Sequence, residues 1–169
     1  LLYNNLKDIR MLVDQLDDID LKILRILQKD SNLTVKELAA KIHLSPSPTF
    51  ERQKRLEREG YIKRYTAVVD SEKVGNQICV LCNIRLKQHT KEYIEGFVQA
   101  IEKIDAITEC YDTSGDYDFL AKVYAKDMHS YHLFLLNTLG KIHSVGNIHS
   151  TFIMSQVKDV GGVFIGDKK

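Results

Sequence analysis

The stretch LSPSPTFERQKRLEREG, Leu44 to Gly60, holds both of the chain's prolines, Pro46 and Pro48, at the head of a cationic, helix-favouring run. Proline suits the first turn of a helix, where the amides have no internal carbonyl partner and a fixed φ favours entry. The pair therefore predicts a helix that begins here, and Gly60 predicts its end. Ser45 or Ser47 can supply a capping oxygen, and the bias of a pre-proline residue away from the helical region favours Ser47.

Two further helices precede this one. Asp17-Asp18-Ile19-Asp20 leads into LKILRILQKD, where Ile19, Ile23, Ile26 and Leu27 repeat at helical spacing behind an acidic first turn that suits the helix dipole. Thr34-x-x-Glu37 is a capping box opening VKELAAKI, with Val35, Leu38, Ala39 and Ile42 along one face. A turn of about three or four residues joins this helix to the proline-headed one, the spacing of a helix-turn-helix.

At about 100° per residue, Thr49, Phe50, Gln53 and Leu56 project to one side of the third helix. Ser47, Glu51, Lys54, Arg55 and Arg58 fall opposite, with Pro48 and Arg52 near the edge. The first set is expected to pack inward and the second to face out, where a major groove accepts one helix and Arg or Lys serves phosphates or guanine edges. The following YIKRYTAVVD reads as a hairpin-like wing, with Lys63 and Arg64 placed for the DNA backbone.

Charge distribution supports that reading better than net charge, which is only +1. Between Lys41 and Tyr65 there are seven basic and three acidic residues, whereas from Ser71 onward there are eleven basic and twelve acidic. The cationic field is local to the helix-turn-helix, and a polyanion responds to local fields.

Beyond Asp70-Ser-Glu-Lys-Val-Gly75, a polar linker, the rhythm changes. Ile78 to Leu86 reads as a strand, Lys91 to Ile104 as an amphipathic helix, Ile107 to Thr113 and Phe119 to Tyr124 as strands around SGDYD, Met128 to Leu139 as a helix and Val145 to Val157 as a final strand. The order βαββαβ is that of a ferredoxin-like domain, an antiparallel sheet with both helices on one face. The other face needs cover, which predicts dimerisation through the sheet. The expected class is thus α+β, with an N-terminal extension at 1–15, a winged helix-turn-helix at 16–65, a hairpin and linker at 66–77, the ferredoxin-like domain at 78–158 and a C-terminal tail at 159–169.

Several other chemistries are disfavoured. No apolar run approaches the roughly 20 residues of a membrane span, and the N-terminus lacks the pattern of a signal peptide, so a cytoplasmic location is expected without membrane partners. Cys79-Val-Leu-Cys82 has metal spacing, yet it lies in the β-rich run QICVLCNIRL, where residues three apart point to opposite faces. His129 and His132 sit at i,i+3 spacing without a carboxylate or thiol cluster beside them. No metal, cofactor or catalytic residue is therefore assigned.

LDDIDLKILRILQKD, the LSPSPTFERQKRLEREGYIKRYTAVVD block and the ITECYDTSGDYDFLAKVYAKDMHSY block resemble the Lrp/AsnC family of transcription regulators, specifically its leucine-responsive branch, over about Leu16 to Lys158. The resemblance implies a sequence-specific regulator whose N-terminal domain binds double-stranded DNA through Ser45, Ser47, Pro48, Thr49, Glu51, Arg52, Lys54, Arg55, Arg58, Lys63 and Arg64. It implies a C-terminal domain that dimerises, assembles dimers into rings, usually octamers, and binds amino acids between dimers. The effector pocket then falls on Tyr111, Thr113, Ser114, Gly115, Asp116 and Asp118, with Ser130, Phe134, Ile148, His149 and Ser150. Amides around a glycine turn and nearby hydroxyls suit an α-carboxylate, while Asp116 or Asp118 can pair with an α-ammonium. SGDYD also suits an ordinary tight hairpin. Leucine or another apolar amino acid is the first expectation, with Phe134 and Ile148 as an apolar wall. Gln53 departs from the apolar residue that the family usually carries there. Two rivals remain: a haem-precursor decarboxylase of similar architecture, which a tetrapyrrole-induced spectral change would reveal, and a sensory protein that no longer binds DNA.

Overall fold

The computed structural model describes residues 16–159 and 161–167; the extension assigned to 1–15 lies outside the described residues. The chain divides into two compact units, one running to Ala67 and including the segment from Lys158 onward, the other Val68–Val157.

The first unit contains α1 (Asp18–Lys29), α2 (Val35–Ile42) and α3 (Pro46–Arg58). Each of the first two begins with a reciprocal cap. The Asp17 carboxylate accepts the Asp20 amide at 2.8 Å, and the Asp20 carboxylate accepts the Asp17 amide at 3.1 Å. Thr34 and Glu37 repeat the device on α2, as their spacing predicts. Helix α2 ends at His43, whose φ of 60° turns the chain left-handed while the Leu44 amide reaches back to the Ala39 carbonyl at 3.0 Å. Three residues then separate Ile42 from Pro46.

Helix α3 starts differently from expectation. Its N-cap is Ser45, not Ser47, and no side-chain cap forms. A capping oxygen serves the second or third amide of a helix, and the third position here is Pro48, which has none. The Thr49 hydroxyl instead donates to the Ser45 carbonyl at 2.9 Å, tying down the first turn from within. Leu21, Ile23 and Leu27 of α1, Leu38 and Ile42 of α2, and Leu56 of α3 form the core together with Leu16.

Two segments around this core differ from the sequence reading. The hairpin expected over 61–70 does not form: Tyr61 and Ile62 pack on the core, and no residue from Lys63 to Asp70 is in a strand. A strand needs a neighbouring edge to pair its amides and carbonyls, and the described part of this unit offers none. Ile165, assigned to a C-terminal tail, also packs on the core, while the Arg25 guanidinium donates to its carbonyl at 3.0 Å.

The second unit carries β1 (Ile78–Leu86), α4 (Lys91–Ile101), β2 (Ile107–Asp112), β3 (Phe119–Ala125), α5 (Met128–Asn137), a 3-10 turn (Leu139–Lys141) and β4 (Val145–Phe152). The sheet order is β2-β3-β1-β4, and every neighbouring pair is antiparallel. This is the ferredoxin-like arrangement the element order predicts. The last strand stops at Phe152 rather than Val157.

Alternation along β1 and β3 sets which side chains are covered. Val80, Cys82, Ile84, Leu86, Phe119, Ala121 and Val123 are buried against Phe97, Ile101, Tyr131 and Leu139. Leu81, Asn83, Leu120, Lys122 and Tyr124 point to the opposite face and are only partly buried. Cys82 is buried and Cys79 half-buried, three residues apart and hence on opposite faces.

Candidate DNA-reading helix and effector turn

The outer face of α3 follows from how the helix is seated. Thr49 and Leu56, one nearly two turns after the other, are its buried residues. Opposite them Ser47, Phe50, Glu51, Lys54 and Arg58 are exposed, an i, i+3, i+4, i+7, i+11 line along one side.

That seating differs from the sequence projection in two places. Phe50, expected inside, is 43% exposed. Arg55, expected outside, instead turns down to Asp20 together with Arg52. The Asp20 carboxylate is 1% exposed and accepts from Arg55 Nη2 at 2.5 Å and Arg52 Nη1 at 2.8 Å, while Arg52 also reaches Asp17 at 2.7 Å. A buried carboxylate demands compensation, and two guanidiniums on the neighbouring helix supply it. The helix therefore turns so that both arginines flank the buried line, and Phe50 is carried to the other flank. Asp20 escaped the sequence reading because its acidic neighbours suit a helix N-terminus. A signal was present: Asp20, Ile23 and Leu27 share one stripe of α1, so a charge there needed a partner.

The cations expected to meet DNA thus separate into two groups. Arg52 and Arg55 are held against α1, and their protonated forms are stabilised chiefly by hydrogen bonds to Asp17 and Asp20 respectively, against an opposing burial cost. Lys54, Arg58, Lys63 and Arg64 are exposed. Lys54 makes an outer contact with Glu57 at 2.6 Å. Gln53 does not enter the core: its amide donates to the Tyr65 hydroxyl at 2.9 Å, which in turn donates to Glu57 at 2.9 Å.

Burial alone raises the Asp17 carboxyl, but the Asp20 amide and the Arg52 guanidinium outweigh it and leave the group below the ordinary aspartate range. Glu57 is lowered chiefly by its hydrogen bond to Lys54. Depressed folded values add stability that is present above the unfolded carboxylate range and is lost as pH falls through the folded values. Urea midpoints of the first unit are therefore expected to hold steady from neutrality to about pH 5 and to fall below about pH 4, with Asp17→Asn flattening that decline.

In the second unit the SGDYD turn is fastened to the end of β1. The Asp118 amide donates to the Ile84 carbonyl at 2.9 Å, and the Leu86 amide donates to the Asp118 carboxylate at 2.7 Å. Arg85 donates to the Asp116 carbonyl through Nε at 2.8 Å and through its terminal nitrogen. Thr113 closes the turn from within, its hydroxyl donating to the Tyr117 carbonyl at 2.9 Å. Gly115 has φ of 119°, a conformation that side chains disfavour.

This turn exposes Ser114, Gly115 and Asp116, whereas Asp118 is occupied by the Leu86 amide and lies 3.1 Å from His89. Of the two acids considered for an α-ammonium, Asp116 keeps its carboxylate outward. Tyr111 is exposed on the uncovered side of the sheet, and His149 reaches that side too, its ring 6.2 Å from that of Tyr117. Phe134, Ile148 and Ser150 lie on the helix-covered side, where the Ser150 hydroxyl is 2.6 Å from that of Tyr131. Ser130 lies in the first turn of α5, whose N-cap Asp127 accepts its amide at 2.7 Å. The seven residues of β3 separate that end of the sheet from the turn, roughly 20 Å of strand. His149 thus stands beside Tyr117 of the turn, whereas Ser130 follows the far end of β3, a strand's length away.

Among the described residues there is no cluster of three His, Cys, Asp or Glu able to hold a metal ion, and no helix long and apolar enough to cross a membrane. His129 and His132 both stand exposed on α5.

Comparison with known proteins assigns both units. Residues 16–63 match a winged helix-turn-helix DNA-binding family, and residues 79–163 match the Lrp/AsnC ligand binding domain. The chain is 38% identical over 143 residues to the Bkd operon transcriptional regulator of Pseudomonas aeruginosa, covering 85% of this chain and 94% of that one. It is 37% identical to the leucine-responsive regulatory protein of Escherichia coli, again over 85% of this chain and 87% of the relative. A crystal structure of a Neisseria meningitidis transcriptional regulator in complex with L-Met superposes with a TM-score of 0.82 at 31% identity, over 85% of this chain and 93% of that one.

Proposed function

Because this chain belongs to the Lrp/AsnC family of DNA-binding transcriptional regulators, we propose that it reads duplex DNA with the outer face of α3 and that an amino acid held at the SGDYD turn controls how its copies assemble on that DNA. The observation that carries the DNA half is the exposed line Ser47, Glu51, Lys54 and Arg58, on a helix anchored from behind through Arg52 and Arg55. Lys63 and Arg64 follow it as backbone contacts. Arg52 and Arg55 serve the interface from behind: they orient the helix, and their guanidiniums are already engaged.

Replacing Lys54 and Arg58 together by Ala is expected to weaken duplex binding by at least tenfold at matched salt, since contacts of this kind are worth about 1–3 kcal/mol each where they read a base. The urea midpoint should hardly move, because both side chains are exposed. Gel shifts at several salt concentrations check this; parent-like affinity and salt slope in the double variant would place the DNA face elsewhere.

For the effector half, the outward amides and hydroxyls of Thr113, Ser114 and Gly115 suit an α-carboxylate, and Asp116 suits an α-ammonium. The solved relative with L-Met supports an amino acid of apolar side chain for this chain, and leucine remains the first candidate. Because Ser130 lies a strand's length from the turn within one chain, a pocket using all of the residues named by resemblance needs a second copy. That is consistent with dimers joining into a higher oligomer, an octamer by family resemblance. A ligand shared between copies shifts assembly by its differential affinity for the assembled states, and assembly sets which half-sites are engaged together.

Gly115→Val should abolish the amino-acid response. A β-branched residue is strained by about 1–3 kcal/mol at that φ, and its methyls would cover the turn amides. Sedimentation and gel shifts over twenty amino acids, parent beside variant, provide the test. If no amino acid alters either readout in the parent, the effector assignment fails while DNA binding stands. The relatives are transcriptional regulators, and on that ground a non-enzymatic role is preferred to the decarboxylase reading. An intracellular, cytoplasmic location follows from the same reading, since its target is genomic DNA.

A further inference from the structure

The seating of α3 leaves Phe50 half exposed. Its ring is 43% exposed and belongs to neither hydrophobic core, so it does not hold α3 in place. It stands at the flank of the outward line of that helix, at a shallow depression shared with Val35, Pro46, Ser47 and Glu51. The Lys54 ammonium is 5.7 Å from the ring centroid. An exposed aromatic ring loses the hydrophobic stabilisation that burial would supply, and on a helix whose neighbours are charged it gains by meeting an apolar group on a polyanion.

Duplex DNA offers such a group in one place that an α-helix reaches. The major-groove edge of thymine carries a C5-methyl, and none of the other three bases carries an alkyl group there. Phosphate contact does not explain the site, because Glu51 sits beside the ring and repels phosphate. We propose that Phe50 is a specificity-determining residue, packing its ring on one thymine methyl in each half-site, with Lys54 beside it contacting the neighbouring base edge or phosphate. The inference rests on the reading that α3 enters the major groove. Given that reading, the preferred sites carry T at one fixed position per half-site, and the discrimination comes from the methyl rather than from base pairing.

The test uses the full chain and a duplex selected by it from a random-core library at low salt. Each thymine of that duplex is then replaced singly by deoxyuridine, which removes the methyl and leaves every hydrogen-bonding group in place. One position per half-site is expected to weaken binding about fourfold, the factor that corresponds to burying one methyl. Both positions together should weaken it about 15-fold. In Phe50→Ala the thymine-to-deoxyuridine affinity ratio at that position should fall to about one. Phe50→Gln, which keeps a side chain but no ring, should give the same flat ratio and serves if the alanine variant folds poorly. Parent protein that binds every deoxyuridine duplex as well as the thymine duplex would overturn the proposal, as would a Phe50 variant that keeps the ratio. Absence of any duplex binding by the parent at low salt is a different result, because it removes the groove reading itself.

Discussion

Replacing Arg52 and Arg55 together by Ala is expected to destabilise the first unit by about 3–5 kcal/mol, the loss seen when a buried charge keeps its place and loses its partners. Asp20 is 1% exposed, and without the two guanidiniums its carboxylate keeps the Asp17 amide but loses both charged donors. The two arginines are unequal to Asp20 in this respect, since their side chains are 28% and 32% exposed and reach water. Asp20→Ala in the parent should therefore cost less than the double arginine variant, about 2 kcal/mol. Adding Asp20→Leu to the arginine pair should recover much of the loss, because an apolar stripe next to Ile23 and Leu27 carries no stranded charge. Urea unfolding followed by circular dichroism checks all three. A double variant within 1 kcal/mol of the parent would mean that the carboxylate is not sealed from water. DNA binding should fall in the same variants only as far as folding does, whereas Lys54 and Arg58 variants should lose binding while folded.

The second large effect concerns the other unit. Phe97→Ala should cost about 3–5 kcal/mol, because the ring is fully buried and its removal leaves a void. That ring lies 4.4 Å from Phe119 and is covered by residues of β1 and β3. Its loss loosens α4 from the sheet and with it the strands that end at the SGDYD turn. Amino-acid response and assembly should disappear, while the first unit keeps its own transition, since Phe97 has no part in the core around Ile23 and Leu56. Calorimetry with limited proteolysis distinguishes the outcomes: cleavage is expected within 68–157 well below the unfolding temperature of the first unit. A variant that remains protected throughout and still responds to amino acids would contradict the placement of that core.

Local and periodic features are legible in the order of residues. The prolines set where α3 begins, Thr34 and Glu37 set where α2 begins, and the alternation Val80, Cys82, Ile84 against Leu81, Asn83 set the two faces of β1. These readings succeed because a cap or a strand period involves residues within a few positions of one another, whose chemistry is visible in order. The βαββαβ order followed in the same way, as each period continues long enough to be recognised. The SGDYD turn was legible as well, because glycine at a positive φ is a local requirement.

The rotation of α3, by contrast, depends on a contact between helices. A helical wheel assigns Phe50 inward because it is apolar and Arg55 outward because it is charged, and each assignment is reasonable for a helix considered alone. The energy that settles the matter lies on another helix: the buried carboxylate of Asp20, 35 residues before Arg55, which accepts from it at 2.5 Å. Satisfying that charge outweighs leaving one ring half exposed, since an uncompensated buried carboxylate costs several kcal/mol and an exposed ring about 1–2. The segment 63–70 forms no strand for a related reason. Its residues have strand-like composition, but a strand is a property of two chains' edges, and the described first unit provides only one. The strand between Gly115 and Ser130 was legible in the sequence, whereas the faces of the last strand were decided in three dimensions: His149 reaches the uncovered side and Ile148 and Ser150 the covered one.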